Sequence, residues 1–320
     1  MAEAFELRGL LSAGLWRKSP GIFWPFRYRA MPPCEACKWL LPKGVLAASN
    51  LKVRLLTAAV VVPPLMWLLF LGPAWGFFVL VLVAAAISAD ELFRMTHPDD
   101  GIARAVGILT TLGVAVSLYL WGGDPRALLT LVFVVPLLGL MVPLWRLGEI
   151  PTAALRTFAG VTGPLYVGGL LTALALLRRD AGASGPHYVF MCLTFAWLAD
   201  TGGYFFGRFL GKRKLYEAVS PKKTRAGFVG ALIGAEVGGL LGHFLYLRSI
   251  PLEHVVPLAL IAGALGQCGD LVESLLKRST GIKDSGSIVP GHGGMLDRID
   301  ALIIVAPVVY LYTLWVGVGR

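Results

Sequence analysis

Charge is scarce in this sequence. Asp, Glu, Lys and Arg together make up 15% of the 320 residues, against roughly 25% in a typical soluble domain. Hydrophobic residues reach 56%, more apolar surface than a soluble core of this size can hide. The same scarcity excludes a disordered chain, which is polar and poor in aromatics; aromatics are 11% here. Four cysteines are too few for a disulfide scaffold. Residues 55–89 contain no charged side chain at all. A net charge of +10 would ordinarily direct attention to nucleic acid, but a chain this apolar is no nucleic-acid binder. A polytopic membrane protein remains, and its positive charges become a clue to orientation.

A helix needs about 20 mostly apolar residues to cross a bilayer. The charge-poor stretches predict nine transmembrane helices. Two come from 55–89, divided at Leu71-Gly72-Pro73-Ala74. The others centre on 105–123, 127–145, 157–177, 187–209, 226–247, 254–276 and 300–318. The apolar runs are continuous and do not alternate, so the fold class is all-α and not a barrel. With a cytosolic N-terminus, 24 of the 29 Lys and Arg fall on the cytosolic side, as topology rules require. They lie in the N-terminal segment and near 90–104, 146–156, 208–225 and 277–298. Arg126, Arg178, Arg179, Arg248 and Arg320 fall outside, and the adjacent Arg178 and Arg179 are the awkward pair.

Residues 1–49 read as a basic, proline-bearing extension without the apolar core of a cleavable signal peptide. Cys34 and Cys37 form a single pair, too little for a zinc site. Residues 50–180 are expected to be scaffold and lipid-facing helices. Residues 181–320 are expected to carry the chemistry, because ionisable groups inside spans are costly and mark function. Asp200 lies within one span and Glu236 within the next; Glu236 is left outside the site. Asp270, Glu273, Ser274 and Lys277 share one helix face by their spacing. Asp297 and Asp300, three apart at a helix start, project to one side. Carboxylate clusters suit hard divalent ions such as Mg²⁺, and neighbouring Lys and Arg suit phosphate. Glycines at 286, 291, 293 and 294 let backbone approach a ligand. Gly230, Gly234, Gly238 and Gly242, four apart, are expected to permit close helix packing.

The run from Ser274 through Lys277-Arg278, Lys283-Asp284 and Gly291-His292-Gly293-Gly294 to Asp297-Arg298-Ile299-Asp300 resembles the signature of the phosphatidate cytidylyltransferase (CDP-diglyceride synthase) family. Two upstream blocks also resemble it: Asp200-Thr201-Gly202-Gly203-Tyr204 through Arg208, and Ser220-Pro221-Lys222-Lys223-Thr224. Ala226 stands where the family commonly has an acidic or amide residue. The resemblance implies that CTP and phosphatidic acid give CDP-diacylglycerol and pyrophosphate with Mg²⁺, and a second metal ion is compatible with the carboxylate count. It implies Asp270, Asp297 and Asp300 as metal ligands, with Asp200 and Glu273 as further candidates. Lys277, Lys283, Asp284, His292 and Arg298 are then expected at the reacting phosphates. Ser220, Lys222, Lys223, Thr224, Ser274, Arg278, Gly293 and Gly294 are expected to bind the substrates. Arg298 has a second reading, as the ion-pair partner of Asp297 or Asp300. The implied setting is a bacterial-type inner membrane with the site on the cytosolic side, the bilayer as partner, and a homodimer as one option for assembly.

Two other functions compete. A CTP-dependent polyprenol or phytol kinase needs similar groups, but the His-Gly-Gly-x2-Asp-Arg-x-Asp run favours the cytidylyltransferase. A transporter would show matched broken helices in both halves, whereas the intramembrane charges here crowd one end.

Overall fold

Among the residues that the computed structural model describes, 59–286 and 293–316, eight helices are long and apolar enough to cross a membrane. In chain order the elements are α1 (Ala59–Phe70), α2 (Ala74–Thr96), α3 (Gly101–Trp121), α4 (Pro125–Trp145) and α5 (Ile150–Gly163). A π-helical segment, Pro164–Leu170, joins α5 to α6 (Leu171–Asp180) without a break. Then follow α7 (Gly185–Leu210), a hairpin of two short strands β1 (Lys214–Tyr216) and β2 (Ser220–Thr224), α8 (Arg225–Leu245), α9 (Leu252–Ser279) and α10 (Leu296–Val316). The shorter α1 falls at the first expected span, and the other expected spans coincide with the eight long helices. The extension at 1–49, with Cys34 and Cys37, lies outside the described residues.

Local chemistry explains several helix starts. Asp100 caps α3 by accepting from the amides of Ile102 and Ala103 at 3.1 and 3.0 Å. Asp124 caps α4, with Pro125 in the first turn where its missing N–H costs nothing. Pro164 cannot donate to the preceding turn, and the helix there widens to π pitch instead of ending. The stretch read as a basic loop at 208–225 is largely the antiparallel β1–β2 hairpin, and Asp90 and Glu91 belong to the last turns of α2.

The buried core runs from Phe77 and Phe93 through Tyr188 and Phe195 to Ile303, while α4 turns Leu129, Val132, Phe133 and Leu144 outward. Apolar outward faces of this kind fit hydrocarbon, not water. The glycine spacing on α8 does what it predicts. A Cβ on Gly230 would lie 2.5 Å from the carbonyl oxygen of Gly202 and overlap the Phe206 side chain. Bare backbone therefore faces bare backbone between α7 and α8.

Cross-links define the two ends of the helix set. At one end, Arg146 binds the Asp100 carboxylate through Nε at 3.1 Å, and Arg156 donates to the carbonyls of Arg146 and Glu149. His97 is buried beside Arg156; burial first, and that guanidinium second, push its imidazole down to about 4. At the other end, Arg178 donates to the carbonyls of Leu69 and Gly72, both at 2.8 Å. Arg179 binds Asp180 at 2.6 Å and lies over the Tyr119 ring. The awkward arginine pair is thus used up inside the protein, one closing the α1–α2 turn and the other neutralised.

Candidate active site

The site grows from the crossing of α9 and α10. A Cβ on Gly269 would lie 2.8 Å from both the Asp300 carbonyl oxygen and the Ile304 side chain. Gly266 meets Val305 one turn away. Only a residue without a side chain lets the two backbones approach this closely. Asp270 and Glu273 project from one face of α9, and Asp300 from the first turns of α10. An oxygen from each of the three gathers within 4.8 Å of the others.

Cations flank the group unevenly. Lys223, carried by β2, pairs with Asp270 at 2.7 Å and donates to the Gln267 carbonyl at 3.4 Å. Ser274 Oγ donates to Asp270 at 3.4 Å. Glu273 is 1% exposed. Its Oε2 accepts from Lys277 at 2.9 Å, whereas its Oε1 is buried and has no hydrogen-bond partner among the described residues. An orphaned carboxylate oxygen beside two further carboxylates is costly unless something cationic completes it. An all-oxygen set of three carboxylates therefore fits a hard divalent ion.

Asp297, expected as a metal ligand, is engaged by protein groups on both carboxylate oxygens. Its carboxylate accepts from Lys277 Nζ at 2.5 Å and from the backbone amides of Ser285 and Gly294 at 3.1 and 3.0 Å. The reason is the antiparallel crossing: Asp300 lies beside Gly269, whereas Asp297, one turn earlier, lies where the long Lys277 side chain brings its ammonium. Glu273, a further candidate in the sequence, stands in the carboxylate group together with Asp270 and Asp300. Lys277 in turn is buried between two acids and does not present a free ammonium.

The remaining expected residues divide similarly. Thr224 is the N-cap of α8, accepting from the Gly227 amide at 3.1 Å. Arg278 ties the end of α9 to the hairpin, donating to the carbonyls of Val219 and Ile282. Lys222, Lys283, Asp284 and Arg298 are exposed, and Ser220 is half-buried. Arg298 makes no ion pair with Asp297 or Asp300 among the described residues. Asp200 is exposed on α7, close enough to Asp270, Lys223 and Arg298 for their charges to act on it. Gly293 has φ +87°, a backbone conformation that favours glycine. His292 lies outside the described residues.

Two residues of the 50–180 stretch join the site unannounced. Tyr166 sits in the π-helical segment, its hydroxyl buried without a partner among the described residues. The charges of Asp300, Glu273 and Asp270 act on it. Glu91, near the end of α2, is 2% exposed. Its carboxylate accepts from Ser285 Oγ at 3.0 Å and from the amides of Met295 and Leu296 at 2.9 and 2.8 Å. Gly286 and Gly294 are glycines on this account: a Cβ on either would run into the Glu91 carboxylate. The one available signal for Glu91 was its place in the acidic pair Asp90-Glu91 that ends 35 uncharged residues, 55–89.

Residues 52–316 match the model of the cytidylyltransferase family. The chain is 36% identical over 270 residues to the phosphatidate cytidylyltransferase of Brucella suis, covering 82% of this chain and 93% of that protein. It is 43% identical over 122 residues to the phosphatidate cytidylyltransferase of Bacillus subtilis, 38% of this chain and 45% of the relative. The protein of that name from Staphylococcus saprophyticus is 49% identical over 111 residues, 35% of this chain and 43% of the relative. On the extent of the family match and the length shared with its relatives, the chain belongs to the cytidylyltransferase family.

Proposed function

We propose that this protein transfers the cytidylyl group of CTP to phosphatidic acid, giving CDP-diacylglycerol and pyrophosphate. The observation that carries the reading is the gathering of Asp270, Glu273 and Asp300 beside Lys223 at one end of a set of membrane-length helices. A lipid phosphate oxygen forms a bond to the α-phosphorus of CTP, and the bond from that phosphorus to the β-phosphate oxygen breaks. The attacking oxygen is already ionised, so no strong general base is needed. The demands are alignment and neutralisation of charge.

Asp270, Glu273 and Asp300 are the residues that would hold Mg²⁺, which when bound supplies charge neutralisation at the triphosphate. Lys223 is held at the edge of this group by Asp270 and is placed to bind a phosphate oxygen there. Lys222, Arg298 and Asp200 line the approach as further contacts. Lys277 and Asp297 keep α9 and α10 in register and act on the substrates through that geometry. The concentration of Lys and Arg at the site end of the helices supports a multi-pass placement in a cell membrane with that end in the cytosol.

Purified protein given labelled CTP, phosphatidic acid and Mg²⁺ is expected to release pyrophosphate and form CDP-diacylglycerol. Release of CDP with a phosphorylated lipid alcohol would indicate a kinase instead, and absence of any lipid product would sink the reading. The helix crossing gives a second expectation. Gly269→Ala pushes α10 away from α9, and a misplacement of about 1 Å costs up to roughly 100-fold in rate. Turnover within twofold of the parent, on a protein with unchanged melting temperature, would show that the crossing has slack.

A further inference from the structure

We propose that Glu91 is a positioning residue for this active site, although it lies on the second of the described helices and touches none of the three clustered carboxylates. The inference rests on the cytidylyltransferase reading for its kinetic consequences and on geometry alone for the contact itself. The Glu91 carboxylate binds Ser285 Oγ on one side of the signature glycines and the Met295 and Leu296 amides on the other. Those two amides stand at the start of α10, where backbone N–H groups lack partners within the helix, and a carboxylate there is favoured by the helix dipole. Fixing the start of α10 fixes Asp300, little more than one turn further on, against Asp270 and Glu273.

The side-chain type is demanding. Glu91 offers only acceptors, and all three partners donate to it. A glutamine keeps one oxygen and turns an N–H₂ group toward a donor. The site has also been fitted around this carboxylate. The three atoms nearest a Cβ on Gly286 all belong to Glu91, its carboxyl carbon at 2.9 Å. One on Gly294 would meet Glu91 at 2.6 Å and also the Ser285 hydroxyl. Gly286 is not among the positive-φ glycines, so its backbone conformation tolerates alanine, and the nearest obstacle to a methyl group there is Glu91.

That obstacle supplies the test. Glu91→Ala, Glu91→Gln and Gly286→Ala are each expected to lower kcat by roughly 10- to 100-fold, the range for residues that orient metal ligands, with the KM for phosphatidic acid little changed. In the double variant Glu91→Ala with Gly286→Ala, the second change is expected to add almost nothing, because the methyl group then occupies vacated space. Amide exchange at Met295 and Leu296 is expected to accelerate in Glu91→Ala and Glu91→Gln, while exchange in α8 stays as in the parent. Multiplicative losses in the double variant, or unaltered exchange at the two amides, would overturn the proposal. A parent protein that makes no CDP-diacylglycerol would defeat the functional reading, and the exchange measurement would still decide the role of Glu91. Should Gly286→Ala fail to fold, Glu91→Gln with its exchange and its kcat-against-KM split decides alone.

Discussion

Asp300→Asn is expected to lower turnover by about a thousandfold while leaving the protein folded. Removing one preorganised charge from a catalytic site commonly costs two to three orders of magnitude, and here the lost group is one of three that would share a divalent ion. The substitution also removes one of several carboxylates crowded together, so the melting temperature is expected to hold or rise. Asp270→Asn should behave alike, with the added loss of the partner that steadies Lys223 at 2.7 Å. The contrast with Asp297→Asn is the sharper measurement. Asp297 holds Lys277 and two backbone amides, so its loss should lower melting temperature and turnover together. Near-parent rates for Asp300→Asn, or a need for Mg²⁺ that the variant leaves unmoved, would remove it from the metal site.

Lys277→Met is expected to destabilise the protein by about 3–5 kcal/mol, the cost of stripping one partner from a buried ion pair. The figure applies because Lys277 is 9% exposed and stands between Glu273, 1% exposed, and Asp297. Two carboxylates are then left facing each other without a cation. Arginine is not a substitute here, since its planar guanidinium needs more room than an ammonium. Thermal denaturation in detergent should show the loss directly. Adding Asp297→Asn to Lys277→Met should restore part of the stability without restoring turnover. A melting temperature within a degree or two of the parent would mean that Lys277 is not the cation holding these helices together.

The membrane spans were legible because hydrocarbon thickness imposes a length and a shortage of charge that any sequence must display. Relations within one helix were equally legible: Asp270 and Glu273 share a face by spacing alone, and the α8 glycines announce a close neighbour. Relations between helices were harder. Asp297 and Asp300 look equivalent by periodicity, yet the antiparallel offset of α9 and α10 sends one to Lys277 and the other to Asp270. Thr224 precedes a helix, and its position as a cap was readable there, but the lysines beside it drew the reading toward phosphate. Glu91 was the least visible. Its partner Leu296 is 205 residues away, and no local pattern distinguishes an acid that staples a distant helix from one that ends a span.

The arginine that closes the α1–α2 turn has a consequence for how the protein is made. Arg178 reaches the carbonyl of Leu69 across 109 residues of chain. At about 5–20 residues per second of synthesis, roughly 5–20 s pass between the emergence of that turn and the arrival of its guanidinium. During that interval the turn carbonyls depend on water or lipid headgroups, and α1 and α2 form a hairpin without its clasp. The clasp arrives when α6 is in place, so the order of insertion is recorded in the finished molecule as a bond between the α1–α2 turn and α6.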